Sequence, residues 1–247
     1  MLEGNTALVT GAGGGLGLAV AQTFAGQGAC GLGLDVLGRP EPFPETWLFQ
    51  EGNVTRERDV AAAVEAVSAE TGRLDVVVAN AGVVPPWRET GDIDLDEWDL
   101  TFAVNVRGVI ASIKHAVPRL RENGGSIVVM GSLNSVQGHE RQCLYAATKH
   151  AVLGIVRSTA RDLGRFGIRV NALAPGPVAT GALKSRAKAR ATRGGPSAEE
   201  TLEAYAAQTA LGRLATEQDV ANAALFLASP LANGITGQMI PVDAGLV

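Results

Sequence analysis

Residues 6–28, TALVTGAGGGLGLAVAQTFAGQG, join a short apolar run to a glycine-rich turn and then to a stretch with helical apolar spacing that stops at Gly28. The order is strand, turn, helix. Gly11, Gly15 and Gly17 stand where a chain must turn tightly, admit a pyrophosphate to its backbone and pack a helix close on a sheet, with Leu16 inside the same turn. A glycine-rich connection with no ligand has the same appearance, so the residues that follow decide. Residues 29–35, ACGLGLD, form a second strand that ends in Asp35, about twenty residues beyond the glycines, the spacing of a ribose-binding acid. Such a carboxylate accepts hydrogen bonds from adenosine ribose hydroxyls and repels a 2′-phosphate. Gly14 and Val36 beside the phosphate path carry no charge that would offset this, so the expected cofactor is NAD rather than NADP. An aspartate merely solvated at a strand end is the competing reading.

Outward from this unit the pattern repeats. Residues 37–45 contain three prolines and read as a loop into a strand at 46–54. At its end Asn53 and Val54 are placed to flank an adenine, although Asn53 serves equally as a turn residue. A helix at 54–72 precedes a buried strand, LDVVVAN at 74–80, and a tight turn at Asn80-Ala81-Gly82. Buried strands alternating with helices predict an α/β fold, a doubly wound parallel sheet of Rossmann type with helices on both faces. The length of 247 residues accommodates it as one domain, residues 1–247.

The second half carries the residues suited to chemistry. After irregular residues 83–95 comes a long helix expected at 96–121. Loops at the carboxyl ends of such strands line the ligand crevice, so Trp87 is a candidate pocket wall, or an aromatic packed against the next helix. Asn105 follows apolar Phe102 and Val104; a buried amide there needs partners, and holds a helix kink or an ordered water. A strand at 125–132 ends at Ser132, thirteen residues before Tyr145. On the helix at 144–166, Tyr145 and Lys149 are four apart and share a face, putting an ammonium beside a phenol that otherwise titrates near ~10. Ser132 would polarise a carbonyl or hold an alkoxide while Tyr145 exchanges the proton. Asn134, Ser135, Gln137, His139 and Cys143 are candidate pocket walls in the intervening loop; His139 reads equally as a surface residue.

A strand at 168–176 leads into PVATGALKSRAKARATRGGPSAEE, where Lys184, Arg186, Lys188, Arg190 and Arg193 form a basic run. A long insertion here suits a mobile lid at about 180–210, with Leu183 facing substrate. The basic residues either recognise an anionic tail or form a solvated helix face. A helix at 215–229 and a short strand at 238–242 complete the chain.

Hydrophobic content of 46%, 19% charged residues and a net charge of −4 describe a globular protein and argue against a nucleic-acid or anionic-membrane surface. No apolar run reaches bilayer length and the N-terminus enters a strand at once, so a cytoplasmic location is expected. Cys30 and Cys143 lack metal-ligand spacing and read as small buried hydrophobes, and with three scattered histidines no metal site is expected.

Taken together, TGAGGGLG, NAG, the Asn105 helix, Ser132, YAATK, PGPVAT and VDAG resemble the short-chain dehydrogenase/reductase family over nearly the whole chain. The resemblance implies a catalytic tetrad of Asn105, Ser132, Tyr145 and Lys149. In it Tyr145 takes the alcohol proton as hydride passes to the nicotinamide, and Lys149 lowers the tyrosine pKa and holds the nicotinamide ribose. Ser132 binds the reacting oxygen, and Asn105 anchors a water relaying protons from Lys149. It also implies that Pro175, Gly176, Val178 and Thr180 border the nicotinamide, that Asn80, Ala81 and Gly82 lie near the cofactor ribose, and that Asn53 and Val54 lie near the adenine. Ala79, Asn53 and Ala244 depart from residues common in relatives. The implied enzyme is a homotetrameric NAD-dependent dehydrogenase built through the two long helices and acting on a small secondary alcohol, polyol or cyclic alcohol. A 3-oxoacyl-thioester reductase and a non-catalytic NAD-binding sensor are the alternatives; Asp35 disfavours the first and the intact tetrad the second.

Overall fold

The computed structural model describes residues 1–192 and 194–246. Strands β1 (Thr6–Thr10), β2 (Cys30–Asp35), β3 (Trp47–Glu51), β4 (Val76–Ala79), β5 (Gly125–Met130), β6 (Ile168–Pro175) and β7 (Met239–Val242) form one sheet in the order β3-β2-β1-β4-β5-β6-β7. Every neighbouring pair is parallel. The chain winds from β1 out to β3, returns to β4 on the other side of β1, and proceeds to β7. The winding therefore reverses between β1 and β4, where a crevice opens at the carboxyl ends of the strands. This is the doubly wound Rossmann-like α/β fold.

The strands have apolar residues on both faces because helices cover both. In β1, Ala7 and Val9 enter one apolar layer and Leu8 the other, as a period of two requires. The first layer is closed by α1 (Gly15–Ala25) and α8 (Glu217–Ala228), through Val20, Phe24, Val220 and Leu227. The second is closed by α2 (Glu57–Thr71), α4 (Gly108–Leu120) and α5 (Cys143–Leu163), through Val60, Val64, Ile113, Leu120, Val152 and Val156. Each such side chain, fully buried, contributes about 1.5–3 kcal/mol relative to exposure.

Two expectations need correction, on the helix at 96–121 and on the two cysteines, and the stretch between β6 and α8 takes a definite form. The helix expected at 96–121 is α3 (Leu95–Phe102) and α4 joined by a π turn at Ala103–Arg107. Asn105 sits in that turn, 1% exposed, and side-chain pairing described below holds the wider turn in place. The stretch at about 180–210, expected as a lid, contains two helices, α6 (Gly181–Ala191) and α7 (Ala198–Ala207). Thr180 caps the first, Ser197 and Glu200 form a capping box on the second, and the Ala, Lys and Arg residues of α6 are good helix formers. Arg193, the last of the basic run, lies outside the described residues. Cys30 is partly exposed and Cys143 exposed rather than buried; α5 buries the side defined by Leu144, Thr148 and Val152, which leaves Cys143 outside. Among the described residues no helix is long and apolar enough to cross a membrane.

Candidate active site

The carboxyl ends of the strands open into a cleft of about 870 Å³. Its floor on one side is the turn between β1 and α1, where Gly11, Gly15 and Leu16 line the cleft. Gly17 does not line it. A Cβ at Gly17 would overlap the Gly11 carbonyl oxygen, so this glycine lets the first turn of α1 press against the end of β1. Gly11 itself has φ 70°, a left-handed conformation that a side chain resists. The N-terminus of α1 has no side-chain cap and no acidic residue in its first turn, leaving backbone N–H groups and the positive end of the helix dipole available to an anion. This cradle fits the diphosphate of a dinucleotide.

Asn80 braces the cradle from β4. Its Nδ2 donates to the carbonyls of Thr10 at 3.0 Å and Gly11 at 3.1 Å, while the N–H groups of Asn80 and Ala81 donate to Thr10 Oγ1, each at 3.1 Å. The side chain of Asn80 is thus engaged with the turn, and Ala81 and Gly82 continue the cleft wall. Asp35 is engaged similarly: Oδ2 accepts from Gly13 N–H at 2.8 Å and Oδ1 from Leu37 N–H at 2.9 Å. A carboxylate has about four acceptor sites, so two backbone bonds leave capacity for ribose hydroxyls. Asn53 and Val54 also line the cleft, but Asn53 Oδ1 accepts from both the N–H and the hydroxyl of Thr55 at 2.9 Å, the turn role of this residue.

At the other end of the cleft Ser132, Tyr145 and Lys149 come together, the first from the loop after β5 and the others from the first turns of α5. Burial raises the Tyr145 phenol above its ordinary pKa, against smaller downward pulls from hydrogen bonding by Ser132 and from the charge of Arg186. Lys149 is 5% exposed, and burial lowers its pKa to about 8. Its Nζ donates to the Met130 carbonyl at 2.8 Å and lies 5.6 Å from the centre of the Tyr145 ring. Lys149 is thus held beside Tyr145 by a backbone carbonyl, and a second cation of the cleft, Arg186, also favours the phenolate. Asn105 is behind this group and does not line the cleft. Its Oδ1 accepts from Val83 N–H at 2.8 Å, and its Nδ2 donates to the Val83 carbonyl at 2.9 Å and to Thr148 Oγ1 at 3.2 Å.

Pro175 ends β6, and Gly176, Val178 and Thr180 follow it along the cleft rim. Thr180 Oγ1 accepts from Leu183 N–H at 3.1 Å as the cap of α6, which leaves its own proton free to donate. Of the expected substrate-pocket residues, Leu183 lines the cleft. Trp87 borders a small adjoining cavity next to Tyr145 instead, with the Arg190 guanidinium 4.4 Å from its ring centre. Asn134 is turned away and donates to Gln142 Oε1 at 2.9 Å. His139 is exposed and its ring pairs with Gln137 Nε2 at 3.3 Å, so it lies at the surface, because the loop between Ser135 and Gln142 faces outward. Arg186, read only as one member of a basic run, lines the cleft beside Tyr145. Its spacing of three from Leu183, on a helix that starts directly after the strand-end residues, is the signal that would have found it.

A dinucleotide cradle at one end and a serine, tyrosine and lysine at the other define a nucleotide-dependent oxidoreductase of the doubly wound class. A family model described as enoyl-(acyl carrier protein) reductase matches residues 11–247. Short-chain dehydrogenase reductase 5 of Arabidopsis thaliana is 38% identical over 257 residues, covering 99% of this chain and 95% of the relative. Xanthoxin dehydrogenase of Arabidopsis thaliana is 37% identical over 265 residues, covering 99% and 90%. Among solved structures, that of levodione reductase superposes with a TM-score of 0.93 at 29% identity, covering 99% of this chain and 98% of the other. The chain belongs to the short-chain dehydrogenase/reductase family, whose fold binds a nicotinamide nucleotide.

Proposed function

We propose that this protein is an NAD-dependent dehydrogenase that interconverts a small secondary alcohol and its ketone. The observation that carries the proposal is the convergence of Ser132, Tyr145 and Lys149 at the end of β5, in one cleft with the glycine cradle and Asp35. Asp35 ends β2, three strand spacings from β5, or ~14 Å, a separation suited to an extended dinucleotide. Bound at that position, the nicotinamide supplies the hydride acceptor, and the chain's own residues handle the proton. Ser132 holds the reacting oxygen by hydrogen bonding, and Tyr145 removes the hydroxyl proton in oxidation or returns it in reduction. Lys149, once drawn from the Met130 carbonyl, is in reach to hold a ribose hydroxyl and to stabilise the phenolate. Asn105 fixes the wall at Val83 and is the residue through which a proton-relaying water would be held.

The preference for NAD rests on Asp35, which among the described residues is the only carboxylate lining the cleft, with no cation beside it there to receive a 2′-phosphate. The test is a fluorescence titration of the purified protein with NADH and with NADPH, followed in the same cuvette by a panel of secondary alcohols and ketones. Tight NADH binding with turnover on a secondary alcohol is the expected result. NADPH preference would remove the argument from Asp35, and NADH binding without turnover across the panel would remove the dehydrogenase reading.

A further inference from the structure

We propose that Arg186 binds a carboxylate carried by the substrate, so that the alcohol oxidised is a small hydroxy acid. This rests on the dehydrogenase reading above and names the substrate class of that site. Leu183 and Arg186 are three apart on α6, share one helical face, and both line the cleft. Among the described residues the cleft wall has two cations, Lys149 and Arg186, and one carboxylate, Asp35. Lys149 is engaged by the Met130 carbonyl, and Asp35 is three strands away holding two backbone N–H groups.

Arg186 is thus a partly buried guanidinium with no hydrogen bond or ion pair among the described residues. Four arginines outside the cleft do have a carboxylate partner: Arg88 meets Glu97, Arg119 meets Glu65, Arg141 meets Glu89 and Arg213 meets Asp219. A partly buried cation without an acceptor is costly unless a ligand supplies the anion, and a guanidinium keeps its charge at neutral pH. It lines the same cleft as Ser132, Tyr145 and Lys149, which places an anion bound to it at the catalytic end of that cleft. Arg190, one turn further, is braced on the Trp87 ring and steadies α6 over the opening. One planar guanidinium matches one planar carboxylate in a bidentate pair and in charge.

The test has a binding arm and a turnover arm. Calorimetric titration of the NADH-loaded protein with pentanoate and with pentanamide should show binding of the acid and about tenfold or weaker binding of the amide. Arg186→Gln should remove the difference, and Arg186→Lys should retain part of it, with the unfolding midpoint of each variant confirming an intact fold. In the turnover arm, 2- and 3-hydroxypentanoate should exceed their methyl esters in kcat/KM by about tenfold or more, a margin lost in Arg186→Gln. Acid and amide binding alike, or neither binding, would overturn the proposal. So would a weakened affinity of Arg186→Gln for NADH, which would assign the arginine to the cofactor. Carboxylate binding that depends on Arg186, without oxidation of any alcohol, would uphold the anion site and remove the dehydrogenase reading instead.

Discussion

The side-chain amide of Asn105 pairs in both directions with the backbone of Val83, accepting from its N–H at 2.8 Å and donating to its carbonyl at 2.9 Å. This is a strand-like pair made by a side chain, and it ties the π turn between α3 and α4 to the cleft wall after β4. Asn105→Ala would leave Val83 and Thr148 without these partners and should cost about 2 kcal/mol. Urea unfolding measures it; a loss below about 0.5 kcal/mol would show that water replaces the amide without penalty.

Tyr145→Phe removes only the hydroxyl, so the fold and the cofactor cradle should be untouched. Turnover should fall by about 10²–10⁴-fold, the range for loss of a general acid/base, while NADH affinity stays within about twofold. Retained turnover in steady-state assays would reassign the proton transfer.

Asp35 holds Gly13 and Leu37 by their N–H groups as well as facing the cleft. Asp35→Ser should therefore weaken NADH more than NADPH and also lower the thermal midpoint, because the glycine turn loses its carboxylate support. Paired titrations with the two nucleotides check the first effect, and an unchanged ratio would show that the carboxylate serves the turn alone.

The pH dependence follows from the raised pKa of Tyr145. Oxidation needs the phenolate, which is lost as pH falls through the folded pKa, so kcat/KM for the alcohol should climb with pH into the alkaline range. Reduction needs the protonated phenol and should persist at lower pH. Arg186 pulls the phenol pKa down, so Arg186→Gln should displace the oxidative limb to higher pH. A flat profile in wild type, or a limb that the variant leaves in place, would contradict the assignment.

Leu95, Leu100 and Ile110 are exposed on the outer side of α3 and α4, at 72%, 59% and 40%. A family-type tetramer built through the long helices would cover such residues. Light scattering on the eluted protein should give four protomers, and a monomeric mass at micromolar concentration would leave these side chains to another explanation.

Much of the fold was legible from residues 6–35 alone, because the features that specify it are local. A strand shows as an apolar run, α1 as a period near four, and the turn between them as glycines at positions where backbone geometry or close packing forbids a side chain. The place of Asp35 at the end of β2 also follows from the chain, since its distance from the glycines is set by one helix and one strand. Tertiary structure alone decided which partners those positions meet. Asn105 lies 22 residues from Val83, and Lys149 lies 19 from the Met130 carbonyl that holds it. Arg186 enters the cleft that holds Tyr145 from a helix that periodicity leaves readable as a solvated face. Periodicity records which side of an element a residue occupies; the partner on that side is set by how sheet and helices pack, and so are the burial and the nearby charge that determine the pKa values of Tyr145 and Lys149.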